Sequence, residues 1–107
     1  MTLNEYQKLA ERTINKGLMP REMEMHALHG LASEGGEIHG IFQKSYQGHE
    51  IDAGELRKEV GDLLWFVAEL CTVEGWEMEE VGEENIEKLR RRYPEGFDAE
   101  RSLHREE

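Results

Sequence analysis

Apolar residues recur every three or four positions along most of the chain, which is the spacing of one face of an α-helix. The pattern predicts four helices, and no stretch shows the alternation of apolar and polar residues that is typical of a β-strand. No internal repeat or low-complexity segment interrupts the pattern. We therefore expect an all-α fold in which four helices form a bundle.

Capping residues and helix breakers place the ends of these helices. Thr2 with Glu5, and Asp52 with Glu55, have the spacing of a capping box, in which each residue's side chain bonds the other's backbone N–H. The first helix is predicted from Thr2 to near Asn15 and Gly17, and the second from a start around Glu22 to Met25 as far as about Tyr46. The third is predicted from Asp52 to near Gly75, and the fourth from about Glu77 to Arg92.

The chain length indicates a single domain over residues 1–107. Pro94 ends the fourth helix, so residues 94–107 are expected to form an irregular or extended tail with a short apolar element around Phe97. A chain of this length buries a modest core, and Leu64 and Trp65 lie off the main apolar stripe. We expect oligomerisation to complete the bundle, as a homodimer or a homotetramer.

Charge and composition exclude several classes of protein. The formal net charge of −11 would repel phosphates and argues against a nucleic-acid-binding module. No run of residues is apolar enough to span a membrane, and the N-terminus lacks the layout of a secretory signal. Cys71, the single cysteine, lies in an apolar stretch and is expected to be a buried thiol. These features predict a cytoplasmic protein.

Two pairs of acidic residues interrupt apolar helix faces. Glu34 lies on the same helical face as Leu31 and Ile38, and Glu37 follows it by one turn. Glu59 and Asp62 have the same spacing on the third helix. Acidic residues in such positions are unusual, because desolvation disfavours the charged carboxylate.

The two acid pairs should meet, since a short connection makes the second and third helices antiparallel neighbours. Counted from the turn near His49 at about 1.5 Å per residue, Glu37 lies about 18 Å away and Asp62 about 20 Å away. Four converging carboxylates would cost several kcal/mol unless a cation compensates. Ligation by oxygen alone favours Mg²⁺, with Mn²⁺ as a possible substitute, over zinc.

The other charged residues have simpler interpretations. Acids at the start of the fourth helix are typical of solvated residues that complement the helix dipole. A di-iron site needs two Glu-x-x-His pairs, and no histidine here follows a glutamate by three residues. His26 and His29 share a helix face that could bind zinc, but no further cysteine or histidine joins them, so an ordinary polar role is favoured.

Three blocks of sequence resemble the MazG-type, all-α nucleoside triphosphate pyrophosphohydrolases. "SEGGE" and "EVGD" are similar to that family's E-x-x-E and E-x-x-D motifs, and "NIEKLRRRYP" resembles a segment of its fourth helix. The resemblance spans residues 22 to 97. It implies Mg²⁺-dependent hydrolysis of a nucleoside triphosphate to a monophosphate and pyrophosphate.

The resemblance also implies roles for particular residues. The metal-binding and catalytic positions correspond to Glu34, Glu37, Glu59 and Asp62, and the nucleotide or phosphate contacts to Asn85, Lys88 and Arg92. Ser33 stands where many members carry a further glutamate, which leaves the number of metal ions and the general base open. The basic residues could instead serve only to complement the C-terminal helix dipole.

Two further functions remain open from the sequence. Gly35 and Gly36 in a helix interior cost about 1 kcal/mol each relative to alanine, and with Ser33 they are compatible with a non-catalytic helical interaction module. Phosphoribosyl-ATP pyrophosphohydrolase uses a related bundle. The preferred reading is a nucleotide-pool enzyme whose active sites lie near a subunit interface, as the family resemblance implies.

Overall fold

A computed structural model describes residues 1–105 of the chain, and it is helical throughout this part apart from turns and connections. The helices are α1 (Leu3–Glu11), α2 (Pro20–Ser45), α3 (Ala53–Glu74), α4 (Met78–Arg92) and α5 (Ala99–Leu103). The prediction of an all-α fold is confirmed. No helix among these is both long and apolar enough to cross a membrane.

Helices α2 and α3 form a long antiparallel hairpin. Their residues pair in opposite order, with His26 against Glu69 near one end and Glu34 close to Glu59 farther along. The connection turns at Gly48, whose φ of 96° favours glycine, and Asp52 then caps α3 by accepting from the N–H groups of Gly54 and Glu55. The hairpin brings the two predicted acid pairs side by side.

Helix α1 packs on α3, the second helix of the hairpin. Trp65 donates from Nε1 to Thr13 Oγ1 at 2.8 Å, so α1 packs against the Trp65 ring that the sequence placed off the main stripe. The buried core here is formed by Ala10, Ala68, Cys71 and Met78, with Tyr6, Trp65 and Val67 packed against it. The expected burial of the Cys71 thiol is confirmed, and that burial raises its pKa.

Helix α4 is attached to α1 through its first turns. Asn4 donates from Nδ2 to Glu77 at 2.7 Å and accepts from the N–H of Glu79 at 3.0 Å. Farther along α4, Ile86 and Leu89 are exposed. The radius of gyration is 17.1 Å, against about 13 Å for a compact domain of this length. The single chain is therefore open rather than closed.

The ends of some elements differ from their predicted positions. Helix α1 ends at Glu11, because the chain turns there and Asn15 accepts from the N–H of Gly17 at 2.9 Å. The prediction of an irregular tail is wrong for Ala99–Leu103, which is helical because Asp98 caps it. Residues 106 and 107 of the predicted tail and domain lie outside the described residues.

Candidate metal centre

Three carboxylates from α2 and α3 meet on the hairpin. One oxygen each of Glu34, Glu59 and Asp62 lies within 4.8 Å of the others. Glu59 and Asp62 project from the same side of α3 because they are one turn apart, and Glu34 faces them from α2. Negative charges at this separation repel one another, so the cluster is a site of concentrated negative potential.

Burial makes this cluster a better fit to a cation than a surface group of acids would be. Glu34 and Glu59 are half-buried, whereas Asp62 is exposed. Glu34 and Glu59 each have one fully buried carboxylate oxygen that no hydrogen-bond donor reaches within the described part of the chain. Buried acceptors normally have a partner. Oxygen ligands are those that Mg²⁺ and Mn²⁺ prefer, so these residues fit a hard divalent ion.

Glu37, the fourth predicted acid, lies at the exposed rim of the cluster. Its pKa is raised first by a hydrogen bond with Glu59, then by the negative charge of Glu59, by desolvation and by the charge of Asp62. Two ionised carboxylates are both acceptors, so this contact becomes a hydrogen bond only when one of them is protonated. Glu37 is therefore adjacent to Glu59 and competes with it for a proton.

The environment of Glu59 has the same character. A hydrogen bond with Glu34 is the largest cause that raises the pKa of Glu59, while the contact with Glu37 lowers it. Desolvation and the charges of Glu34 and Asp62 raise it further. Protons and a metal ion would thus compete for the same oxygens, and metal binding requires the deprotonated carboxylates.

Tyr6 of α1 lies near the cluster and was not singled out from the sequence. Its phenol pKa is raised by burial and, secondly, by the charge of Asp62, so the ring is within electrostatic reach of the acids. The helical spacing of Tyr6 and Ala10 could have indicated a buried face of α1. It could not indicate that this face approaches Asp62, because that depends on how α1 packs on α3.

Asn85, Lys88 and Arg92 lie on α4 rather than on the hairpin that carries the acids. Asn85 is exposed, and Lys88 and Arg92 are half-buried. Because α4 packs mainly on α1, the acid cluster is built by α2 and α3 without it. Contact between these three residues and a substrate remains a prediction.

Comparison with known families identifies the chain. Residues 23–97, well over half of the sequence, match the MazG nucleotide pyrophosphohydrolase domain. This segment includes both acid pairs and α4. Comparison with curated proteins and with solved structures gave no significant match. The chain belongs to the MazG nucleotide pyrophosphohydrolase domain family.

Proposed function

We propose that this protein hydrolyses a nucleoside triphosphate, of the ribose or deoxyribose series, to the monophosphate and pyrophosphate. The observation that carries the proposal is the acid cluster of Glu34, Glu59 and Asp62, with buried oxygens that no donor reaches in residues 1–105. It lies within a domain of a nucleotide pyrophosphohydrolase family. Neither fact alone would identify the reaction, but together they join a cation site to a substrate class.

The cation that best suits these ligands is Mg²⁺, with Mn²⁺ as a substitute. Glu34, Glu59 and Asp62 would hold it, and Glu37 lies beside Glu59 at the rim of the cluster. When bound, such an ion supplies positive charge that offsets the negative charge of the phosphate oxygens. The acids would thereby change from mutually repelling groups into an anchor for a polyphosphate.

The proposed chemical step is attack by water on the α-phosphorus. A new bond forms between the water oxygen and this phosphorus, and the bond to the oxygen that bridges to the β-phosphorus breaks, so pyrophosphate leaves. The proton of the water passes to a carboxylate. We assign this role to Glu37, because it is exposed at the rim of the cluster and lies beside Glu59, where a water next to the cation would be within its reach.

We propose that the cationic residues reach the site through association of chains. Asn85, Lys88 and Arg92 step by three and four residues and so share one side of α4, where they could bind phosphate oxygens. Helix α4 also exposes Val81, Ile86 and Leu89. Packing of these apolar residues in a homodimer or homotetramer would cover them and could place the cationic side of α4 over an acid cluster.

We further propose a cytoplasmic, housekeeping role in the nucleotide pool. The single cysteine, Cys71, is buried and needs no oxidising compartment. The net charge of −11 disfavours nucleic acid as a partner, whereas a single nucleotide with its cation remains acceptable. A panel of common and damaged nucleotides, assayed with Mg²⁺ and with Mn²⁺, would identify the preferred substrate.

The test of the function is to remove one charge from the cluster at a time. Glu59→Gln and Asp62→Asn should abolish pyrophosphate release while the helical circular dichroism stays intact, because each loses an ionised ligand and keeps its shape. Glu55→Gln, one turn earlier on α3 and exposed, is the matched control and should retain activity. Unchanged turnover in either cluster variant would refute the assignment, and orthophosphate as the product would place the reaction in another class.

A further inference from the structure

A buried carboxylate holds a histidine at the other end of the hairpin. Glu69 is 1% exposed, and its two carboxylate oxygens lie 2.8 and 2.9 Å from Nδ1 of His26. The His26 side chain is 51% exposed. Since an ionised carboxylate only accepts, Nδ1 carries the proton in this bond. Within residues 1–105 the hydrogen bonds of the ring are made by Nδ1, so Nε2 is the ring nitrogen that can bond a ligand.

Two aromatic rings fix the position of this histidine. The His26 ring packs edge-on to Trp65, with centroids 6.4 Å apart, and lies 5.7 Å from the ring of Phe66. Trp65 and Phe66 are themselves perpendicular at 5.1 Å. A side chain whose ring, donor atom and neighbours are all held loses little freedom when it binds a ligand, which favours a recognition role.

His26 and the acid cluster both lie where α2 and α3 face each other. Asp62, Phe66 and Glu69 follow one another at spacings of four and three, so they form one stripe of α3. On α2, His26 and Gly30 are one turn apart, and Glu34 follows after another turn. Glu34 and His26 are thus separated by about 12 Å along the helix axis.

The separation between Glu34 and His26 is similar to the length of the nucleoside part of a nucleotide. A phosphoryl group bound at the acids would lie far from His26, whereas the sugar and base attached to the α-phosphate extend over a distance of this order. Trp65 and Phe66 lie between the two ends and are each partly exposed, and aromatic side chains are the groups on which bases stack. A polyphosphate without a nucleoside has no group that could contact His26 or the aromatic rings.

We propose that His26 binds the nucleobase of the substrate through Nε2, with Trp65 and Phe66 forming the apolar part of the same subsite. Glu69 is a positioning residue, which fixes the ring through Nδ1. The inference rests on the function proposed above and extends it: the site recognises a nucleoside triphosphate by its base as well as by its phosphates.

The test compares ligands with and without a base. We would measure the binding, in Mg²⁺, of the α,β-methylene analogues of the four common ribonucleoside and the four common deoxyribonucleoside triphosphates, and of inorganic tripolyphosphate, by calorimetry on the full chain. His26→Asn should weaken the best-bound analogue by about tenfold, the effect of losing one hydrogen bond. Binding of tripolyphosphate should be unchanged.

Two further variants protect the result against a folding defect. Removing the partner of a buried carboxylate such as Glu69 destabilises a protein, whereas replacing both partners by apolar residues is often neutral. The double variant His26→Leu with Glu69→Met should therefore fold and show the same selective loss. Glu69→Gln keeps an acceptor for Nδ1 and should lose less affinity for the analogue, again without affecting tripolyphosphate.

The control is His29→Asn, one turn along α2, where the side chain is exposed and should not affect either ligand. Equal weakening of analogue and tripolyphosphate in the His26 variants would overturn the inference, as would no weakening of either. If the wild-type chain hydrolyses nucleotides but binds tripolyphosphate as tightly as every analogue, the base subsite is wrong and the function stands. Failure of the wild type to bind any of these ligands would overturn both.

Discussion

Glu37 and Glu59 lie side by side on the hairpin, and the pKa of each carboxyl is raised in the folded protein. For Glu37 the first cause is the hydrogen bond with Glu59, and for Glu59 it is the hydrogen bond with Glu34. A carboxyl whose pKa is raised by folding binds its proton more tightly in the folded state than in the unfolded one. Its ionisation therefore opposes folding, and the cation-free protein is less stable at neutral pH than it would be without that charge.

This linkage gives a prediction for Glu37→Gln in the absence of metal. The variant should be more stable than the wild type at pH 7, and the difference should shrink as the pH falls through the raised pKa toward the ordinary value of 4.5. Below that value the wild-type carboxyl is protonated and resembles glutamine. The measurement is the free energy of unfolding of both proteins in chelator between pH 4 and 7.5, taken from urea titrations.

Magnesium provides the internal check on that experiment. Bound cation would satisfy the ionised carboxylates, so saturating Mg²⁺ should stabilise the wild type most at neutral pH, where the ligands are deprotonated. A stability difference between the two proteins that is independent of pH would show that Glu37 does not feel the charges of its neighbours.

At the scale of the helices, Gly30 sets how closely α2 approaches α3. A Cβ added at position 30 would lie 2.2 Å from two carbons of the Phe66 ring, and the ring is held by Trp65 and His26. The Phe66 ring of α3 thus occupies the space that a side chain at position 30 would need. This contact lies between the acid cluster and His26, so it also sets the distance between α2 and α3 in that part of the hairpin.

Gly30→Ala should accordingly destabilise the protein by about 1–3 kcal/mol, the usual cost of overpacking a core. Gly40→Ala, on the same helix, is the matched control: nothing lies within 4 Å of its added Cβ, and alanine should stabilise the helix by up to about 1 kcal/mol. Chemical denaturation of the two variants measures both effects. Equal stability changes would mean that the Phe66 ring is not confined as described.

The ends of the helices are set by hydrogen bonds between residues close in sequence, and only some of these ends could be predicted. The capping box of Thr2 and Glu5 could be foreseen and is confirmed, because its residues are three apart. Of the box predicted for Asp52 and Glu55, the structure shows the Asp52 half, in which Asp52 accepts from the N–H groups of Gly54 and Glu55. The end of α1 and the helix after Asp98 were missed although their causes are equally local, because Asn and Asp form the same short bonds to nearby N–H groups in turns as in helix caps.

The candidate site divides in the same way. Convergence of Glu34 with Glu59 and Asp62 could be estimated because helical rise and a short connection fix the heights of residues on a hairpin. Tyr6 and the pairing of His26 with Glu69 could not, because they depend on which faces of α1, α2 and α3 meet. The roles of Asn85, Lys88 and Arg92 stay predictions, because α4 packs mainly on α1 whereas α2 and α3 carry the acid cluster.

At the scale of the whole molecule, the open shape calls for a partner. The radius of gyration of 17.1 Å exceeds that of a compact chain, and the outer part of α4 exposes apolar residues that a second subunit could cover. Sedimentation velocity at micromolar concentration should show a dimer or tetramer of the 12.5 kDa chain. Ile86→Glu should shift this assembly toward the monomer, because the charge would be buried at the interface. A wild-type monomer at that concentration would contradict the proposed association.

The proposed reaction depends on the binding of a divalent cation by Glu34, Glu59 and Asp62, so this binding is the property to measure first. The experiment is an anomalous difference map from a crystal grown with an α,β-methylene nucleotide and soaked in Mn²⁺. We expect a strong peak among the oxygens of these three residues, and its loss in Glu59→Gln. A fully soaked crystal with no peak between α2 and α3 would contradict the assignment of this protein as a metal-dependent pyrophosphohydrolase.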